Sequence, residues 1–106
     1  MSNTMDHSDQ IKIFDPKTWG WPVHLIGAGG INNLVGPILA KMGITELHVW
    51  DDDRLERRNC PTEVAYSCAM IGEYKTAAMA DMIYHLMPKG VEVHQHTERV
   101  YTRTEL

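Results

Sequence analysis

The spacing of apolar and polar positions predicts two strand–helix units followed by a third strand. Val23–Ile26 is a short apolar stretch that runs directly into the glycine-rich segment Gly27-Ala28-Gly29-Gly30. Beyond it, apolar residues recur at spacings of three and four, which is typical of one buried helix face; they are Ile31, Leu34, Val35, Ile38, Leu39 and Met42. We therefore predict a strand, a tight turn and a helix from about Gly30 to Met42, which ends at Gly43 and bends at Pro37.

The pattern then repeats. Leu47–Trp50 follows the first helix after only a few residues, and so short a return predicts a parallel strand reached by a right-handed crossover. Helical spacing resumes from about Glu73 to Met87 and is ended by Pro88 and Gly90. Val91–His96 alternates between apolar and polar residues, as in a half-exposed strand. The order of elements predicts an α/β fold with a parallel sheet.

The remaining segments are predicted to be irregular. Residues 1–10 are polar and are expected to fray, and residues 54–62 are expected to form a loop. Trp19 and Trp21 are expected to cover the edge of the core, with stacking on an adenine ring as the alternative. We assign residues 1–20 to an N-terminal extension and residues 21–106 to a single domain.

Composition narrows the class of protein. The net charge of −4 argues against non-specific binding to nucleic acid or to an anionic membrane. No apolar run reaches the ~20 residues that a membrane helix needs, and the polar N-terminus does not resemble a signal peptide. Cys60 and Cys68 form no CxxC pair, so we expect both to be thiols in a reducing compartment, the cytoplasm.

Two histidines raise the question of a metal. His94 and His96 would share one face of the third strand, which is compatible with a metal pair. No third ligand is recognisable in the sequence, so a solvated face is favoured and no metal site is predicted.

The glycine-rich segment and the acidic run after the second strand are the candidates for chemistry. Gly27 would make the tight turn, and Gly29 would allow the backbone to approach a phosphate at the start of the helix. Asp51, at the end of the second strand, follows Gly27 by 24 residues, close to the spacing of a carboxylate that accepts hydrogen bonds from ribose hydroxyls. The alternative for Asp51-Asp52-Asp53 is a solvated acidic turn.

The order of these motifs resembles the adenylation domain of the ThiF/MoeB and ubiquitin-activating enzyme family. The resemblance extends from about Trp21 to His96 and is carried by four segments: Gly27–Ile31, Leu39–Ile44, Asp51–Asn59 and Ile71–Ala77. Asn59 follows Asp51 by eight residues and Lys75 follows it by 24, and both spacings fit the family pattern. The resemblance implies a Rossmann-like three-layer α/β/α fold with a short parallel sheet, of which this chain would form the β-α-β-α-β half.

The resemblance also implies an activity. Enzymes of this family attack the α-phosphate of ATP with the C-terminal carboxylate of a ubiquitin-like or sulfur-carrier protein and release pyrophosphate. Charge on the α-phosphate must be met by cations and amide groups, and Lys75 would be the catalytic cation. The nucleotide-binding residues implied are Gly27, Gly29, Gly30, Asp51, Asp53, Asn59 and Lys75; the family's magnesium ligand, an Asp, belongs to a later segment.

Three residues depart from the family pattern. Asn32 stands where the family has a third glycine, Thr62 where it has an arginine that binds phosphate, and Glu63 where it has a glutamine. Loss of the arginine removes a bidentate clamp, and the added carboxylate opposes ATP. Two alternatives therefore stay open: a non-catalytic binding or regulatory module with the same fold, and an NAD- or FAD-binding Rossmann fragment. Lys75 together with Asn59 would distinguish adenylation from dinucleotide binding.

Topology also implies a partner. The first strand would lie at the open edge of a sheet built from these residues, and an open apolar edge favours association. We therefore expect either a homo-oligomer, most simply a dimer, or a piece of a longer protein.

Overall fold

The computed structural model describes residues 15–30, 32–59 and 66–100. A 3-10 turn at Pro16–Thr18 precedes the first strand, and two more, Arg57–Asn59 and Cys68–Met70, lie between the second strand and the second helix. The regular elements, in chain order, are β1 (Val23–Ile26), α1 (Asn32–Met42), β2 (Glu46–Trp50), α2 (Lys75–Leu86) and β3 (Glu92–His96). Ile31, Cys60, Thr62, Glu63 and the two chain ends lie outside the described residues.

The three strands form a parallel sheet in the order β1-β2-β3. Val23 pairs with Leu47, and Leu47 pairs with Val93, so each crossover moves one strand further in the same direction. The predicted α/β fold and parallel crossovers are confirmed. The edge of β1 that faces away from β2 has no partner strand among the described residues.

Both helices lie on one face of this sheet. Two right-handed crossovers that move in the same direction place their helices on the same side, and α1 and α2 contact each other. The core between helices and sheet is fully buried; its largest side chains are Leu47, Leu55, Met79, Ile83 and Val49. The described residues thus form a helical layer and the sheet. Neither described helix is long and apolar enough to cross a bilayer.

The buried face of α1 differs from the predicted stripe. Asn33, Gly36 and Ala40 are buried, whereas the side chains of Leu34 and Ile38 are 44% and 56% exposed. Small residues face inward because α1 lies very close to its neighbours: a Cβ on Gly36 would stand 2.7 Å from Sδ of Met79 and 3.3 Å from Cδ1 of Leu25. Val35 and Leu39 of the predicted stripe do pack against the core, so hydrophobic periodicity located the helix and only part of the face that packs.

The expectation for the two tryptophans was wrong. Trp19 and Trp21 are 41% and 74% exposed, and the indole N–H of Trp19 donates to the carbonyl of Trp21 at 2.6 Å. The core cluster is built from other residues, among them Leu47, Ile83 and the ring of Tyr66, and neither tryptophan belongs to it.

The opposite face of the sheet carries histidines. His24, His48 and His94 stand side by side on β1, β2 and β3, and their rings stack at centroid distances of 4.6 and 4.5 Å. His96 stacks on Trp50 at 3.8 Å. Burial disfavours the imidazolium form, and nearby His48 adds repulsion, so the pKa values of His24 and His96 lie below the usual value.

Gly36 offers a direct test of the packing between α1 and α2. Replacing Gly36 with Val should lower the free energy of unfolding by about 2–3 kcal/mol, because added carbons must displace Met79 and Leu25 in a filled core. Urea denaturation would measure the change. Gly20→Val is the matched control, since a Cβ there has no atom within 4 Å, and it should change stability by less than about 0.5 kcal/mol. Equal effects of the two substitutions would contradict this packing.

Candidate functional site

The candidate site lies at the carboxyl ends of the strands. In a strand–helix–strand unit the helix returns antiparallel to the strands, so α1 and α2 both begin at this edge. Their first turns direct backbone N–H groups toward the same region in which β1 and β2 end. An anion is favoured there by geometry and by the helix dipoles.

The glycine segment forms the turn between β1 and α1. Gly27 and Gly30 have φ angles of 99° and 54°, in the left-handed region that a side chain disfavours. The N–H of Gly27 donates to the carbonyl of Trp50 at 2.7 Å, which joins the turn to the end of β2. The carbonyl of Gly29 accepts from the N–H of Asn32 at 3.1 Å and so starts the helix.

Asn32, at the position of the family's third glycine, stabilises this turn from within. Its carboxamide N–H₂ donates to the carbonyls of Ile26 and Gly27 at 3.2 and 3.0 Å. The side chain therefore folds back onto the end of β1 and does not fill the outer side of the turn.

Asp51 connects the glycine turn to the acidic segment. Its Oδ2 accepts from the N–H of Ala28 at 2.8 Å, and its Oδ1 accepts from the N–H of Asp53 at 2.8 Å. A carboxylate has about four lone-pair positions, so these two bonds leave acceptor capacity on the same group. The residue predicted to hold a ribose thus also holds the turn in place.

Lys75 is joined to the same network through its backbone. It is the first residue of α2, it is half-buried, and its N–H donates to the carbonyl of Asp53 at 3.0 Å. A continuous hydrogen-bonded path therefore runs from Ala28 through Asp51 and Asp53 to Lys75. The structure brings the glycine turn, the acidic segment and the start of α2 together, and their binding of a single nucleotide stays a prediction.

The segment before α2 is held by several contacts. Leu55 donates to the carbonyl of Glu73 at 2.7 Å and accepts from the N–H of Gly72 at 2.8 Å. The guanidinium of Arg54 lies 4.1 Å from the centre of the Tyr74 ring. These bonds fix where α2 begins relative to the acidic segment.

Sequence reasoning missed Arg99. Its Nη2 lies 3.2 Å from Oδ1 of Asp52 and 3.9 Å from Oδ1 of Asp53. Together with the end of β1 and the ring of Trp50, these groups line an open cavity of about 260 Å³. In the sequence, Arg99 was indicated only by its position: β3 ends at His96, so a residue three places later lies at the same edge of the sheet.

Tyr66 was also missed. Its ring is buried, and its hydroxyl donates to the carbonyl of Ala28, so both backbone groups of Ala28 are used in fixing the turn. A lone aromatic residue in an irregular stretch gave no periodicity from which this contact could be inferred.

Asn59 closes a turn of its own segment. Its Oδ1 accepts from the N–H of Glu56 at 2.8 Å, and its own N–H donates to the carbonyl of Glu56 at 2.9 Å. A contact between Asn59 and phosphate stays a prediction.

The role of Asp51 in this network is testable. Asp51→Asn replaces one acceptor oxygen with an N–H₂ group that faces a backbone N–H, so at least one hydrogen bond to a charged group is lost. We expect the free energy of unfolding to fall by about 2 kcal/mol and hydrogen exchange at the Ala28 amide to become faster. Asp52→Asn is the control: it weakens an exposed ion pair with Arg99 and should cost less than about 1 kcal/mol. The account fails if both variants leave Ala28 equally protected.

Comparisons of sequence and structure show which known proteins this chain is similar to. The model of the ThiF family matches residues 17–105. Among solved structures, E. coli MccB with ATP is 28% identical over 79% of this chain, with a TM-score of 0.72; E. coli MccB with SeMet MccA is 29% identical over 78%, with a TM-score of 0.71. SeMet PaaA is 28% identical over 79%, with a TM-score of 0.73.

The chain spans about a quarter of each of these structures, with 25% of the two MccB chains and 26% of the PaaA chain covered. A search of curated protein sequences finds no match. The family match nevertheless takes in the glycine turn, Asp51 and Lys75 in one unbroken stretch, and the chain belongs to the ThiF family.

Proposed function

We propose that this chain binds ATP at the carboxyl edge of its sheet and forms the nucleotide-binding part of an adenylating site. The observation that carries the proposal is the hydrogen-bonded path from Ala28 through Asp51 and Asp53 to Lys75. It joins an amide-rich turn, a carboxylate and a lysine, which are the three groups that a nucleoside triphosphate requires. One solved neighbour is E. coli MccB with ATP, which supports the choice of nucleotide.

Each group has a distinct task in this proposal. Amides of the turn at Gly29 and Gly30 and of the first turn of α1 would bind phosphate oxygens, while Gly27, whose N–H is bonded to the carbonyl of Trp50, would shape the turn. The ammonium group of Lys75 would balance the charge that develops on the α-phosphate. Asp51 and Asp53 would accept hydrogen bonds from the ribose. The base would lie in the cavity between Trp50 and Arg99.

The reaction proposed for the whole enzyme is the activation of a carboxylate. A carboxylate oxygen bonds to the α-phosphorus, the bond from that phosphorus to the pyrophosphate oxygen breaks, and an acyl adenylate is left. The carboxylate would be the C-terminus of a peptide, a ubiquitin-like protein or a sulfur-carrier protein. Neighbours solved with MccA support a partner of this kind.

Magnesium would accompany the triphosphate and neutralise part of its charge. The Asp that holds this ion in the family belongs to a later segment, so the ribose remains the partner proposed for Asp51 and Asp53. The expected homodimer and a cytoplasmic location stay predictions.

Calorimetry with ATP tests the proposal. The chain should bind ATP in preference to NAD, and Lys75→Ala should weaken ATP binding by about 10–100-fold, the equivalent of one lost charge-assisted contact. Lys89→Ala, an exposed lysine between α2 and β3, is the matched control and should leave the affinity unchanged. Tighter binding of NAD than of ATP, or equal effects of the two variants, would contradict an adenylating site.

ATP–pyrophosphate exchange then distinguishes an adenylating enzyme from a non-catalytic binding module. Exchange in the presence of a carboxylate substrate requires the acyl adenylate to form. ATP binding without exchange would leave the non-catalytic module as the function of these residues.

A further inference from the structure

The histidine face of the sheet, opposite the helices, is not used by the proposed ATP site. From the sequence alone, only His94 and His96 could be placed together, because they lie two residues apart on one strand and therefore share a face. The fold adds residues from β2: His48 is the register partner of His94, and Glu46 lies two places before His48 on the same face. Residues 46 places apart in the chain thus become neighbours.

Three side chains on this face converge. Oε2 of Glu46 lies 2.7 Å from Nε2 of His48, and His94 stacks against His48 with ring centres 4.5 Å apart. One ligand atom from each of these three residues lies within 4.8 Å of the other two. Two imidazoles and a carboxylate are a donor set typical of zinc and related divalent transition metals.

The central ligand is held from several sides. Nδ1 of His48 lies 2.9 Å from Nε2 of His96, while its Nε2 faces Glu46. Metal-binding histidines characteristically use the second ring nitrogen in such a hydrogen bond, which fixes the tautomer and the ring orientation. His24 stacks on the other side of His48 at 4.6 Å and is itself fixed by a 3.0 Å hydrogen bond from the indole N–H of Trp50.

We propose that Glu46, His48 and His94 bind one divalent transition-metal ion of the zinc class, with His96 as the positioning residue behind His48. The ion takes the place of the hydrogen bond between Nε2 of His48 and Glu46. A proton on Nε2 moves to Nδ1, which faces His96, so His48 binds as a neutral imidazole, and water completes the coordination.

Metal binding requires the two outer ligands to turn. Ligands bound at zinc distances stand about 3.3 Å apart in a tetrahedral site, so Glu46 must open from its 2.7 Å contact with His48. His94 must turn out of its stack with His48 and away from Glu92, whose carboxylate lies 3.5 Å from Nε2 of His94. The side chains of Glu46 and His94 are 43% and 44% exposed and have room for that rotation, whereas His48, at 17%, is held in the cluster.

Metal titration tests the site without reference to ATP. Zn²⁺ is titrated in competition with a chromophoric chelator, and Co²⁺ is used as an absorbing probe of coordination. We expect one equivalent of Zn²⁺ and a Co²⁺ spectrum of the intense, low-coordinate type. His48→Ala and Glu46→Gln should each weaken Zn²⁺ binding by more than about 100-fold, since even loss of an outer partner costs about 10–100-fold.

His96→Ala distinguishes positioning from ligation. It should weaken Zn²⁺ binding by about 10–100-fold while the Co²⁺ spectrum keeps its form. His85→Ala removes an exposed histidine from α2 and is the matched control, with no expected change.

Three outcomes would overturn the site: no binding of Zn²⁺, a weak Co²⁺ spectrum of the six-coordinate type with several equivalents bound, or the same loss of affinity in His85→Ala as in Glu46→Gln. Circular dichroism establishes that each variant is folded, and Glu46→Gln keeps the shape of the side chain if His48→Ala does not fold. Since Glu46→Gln should leave ATP binding unchanged, failure of the metal site and failure of the ATP site are distinguishable.

Discussion

The carboxylate of Asp51 is the interaction on which the candidate site depends. By accepting from Ala28 on one side and from Asp53 on the other, it links the turn after β1 to the segment after β2. These segments are distant in sequence and touch only because the parallel register brings both strand ends to one edge. Lys75 joins through the carbonyl of Asp53, so the groups proposed to bind phosphate and sugar are positioned by one network rather than separately.

Local pattern was sufficient for the architecture. The short return between α1 and β2 predicted a parallel crossover and helical spacing predicted α2, whereas Lys75 was singled out by the resemblance to the family. The periodicity of apolar residues did not predict the features that depend on tertiary contacts. The inward face of α1 is set by the space available at Gly36, and Leu34 and Ile38 turn outward although their periodicity predicted burial. Tyr66 and Arg99 lie in segments without any period and carry no local signal.

The two faces of the sheet have different chemistry for the same reason. Side chains alternate along a strand, so the residues that pack against α2 are aliphatic, while those between them include His24, His48 and His94. Of the histidine pair considered from the sequence, His94 is a proposed ligand and His96 a proposed positioning residue, and the other two proposed ligands, Glu46 and His48, come from the neighbouring strand. The register between neighbouring strands cannot be inferred from one strand alone. It is this register that brings further side chains beside the pair of histidines and forms a cluster.

The central claim is that the glycine turn, the acidic segment and Lys75 act on one nucleotide, and amide NMR during an ATP titration tests it most directly. The account predicts saturable shifts concentrated at Gly27, Gly29, Asp53 and Lys75, with one common dissociation constant. Amides at the opposite edge of the sheet, such as Thr45 and Val91, should stay unchanged. Shifts absent from the glycine turn, or saturating there and at Lys75 with different constants, would contradict the account.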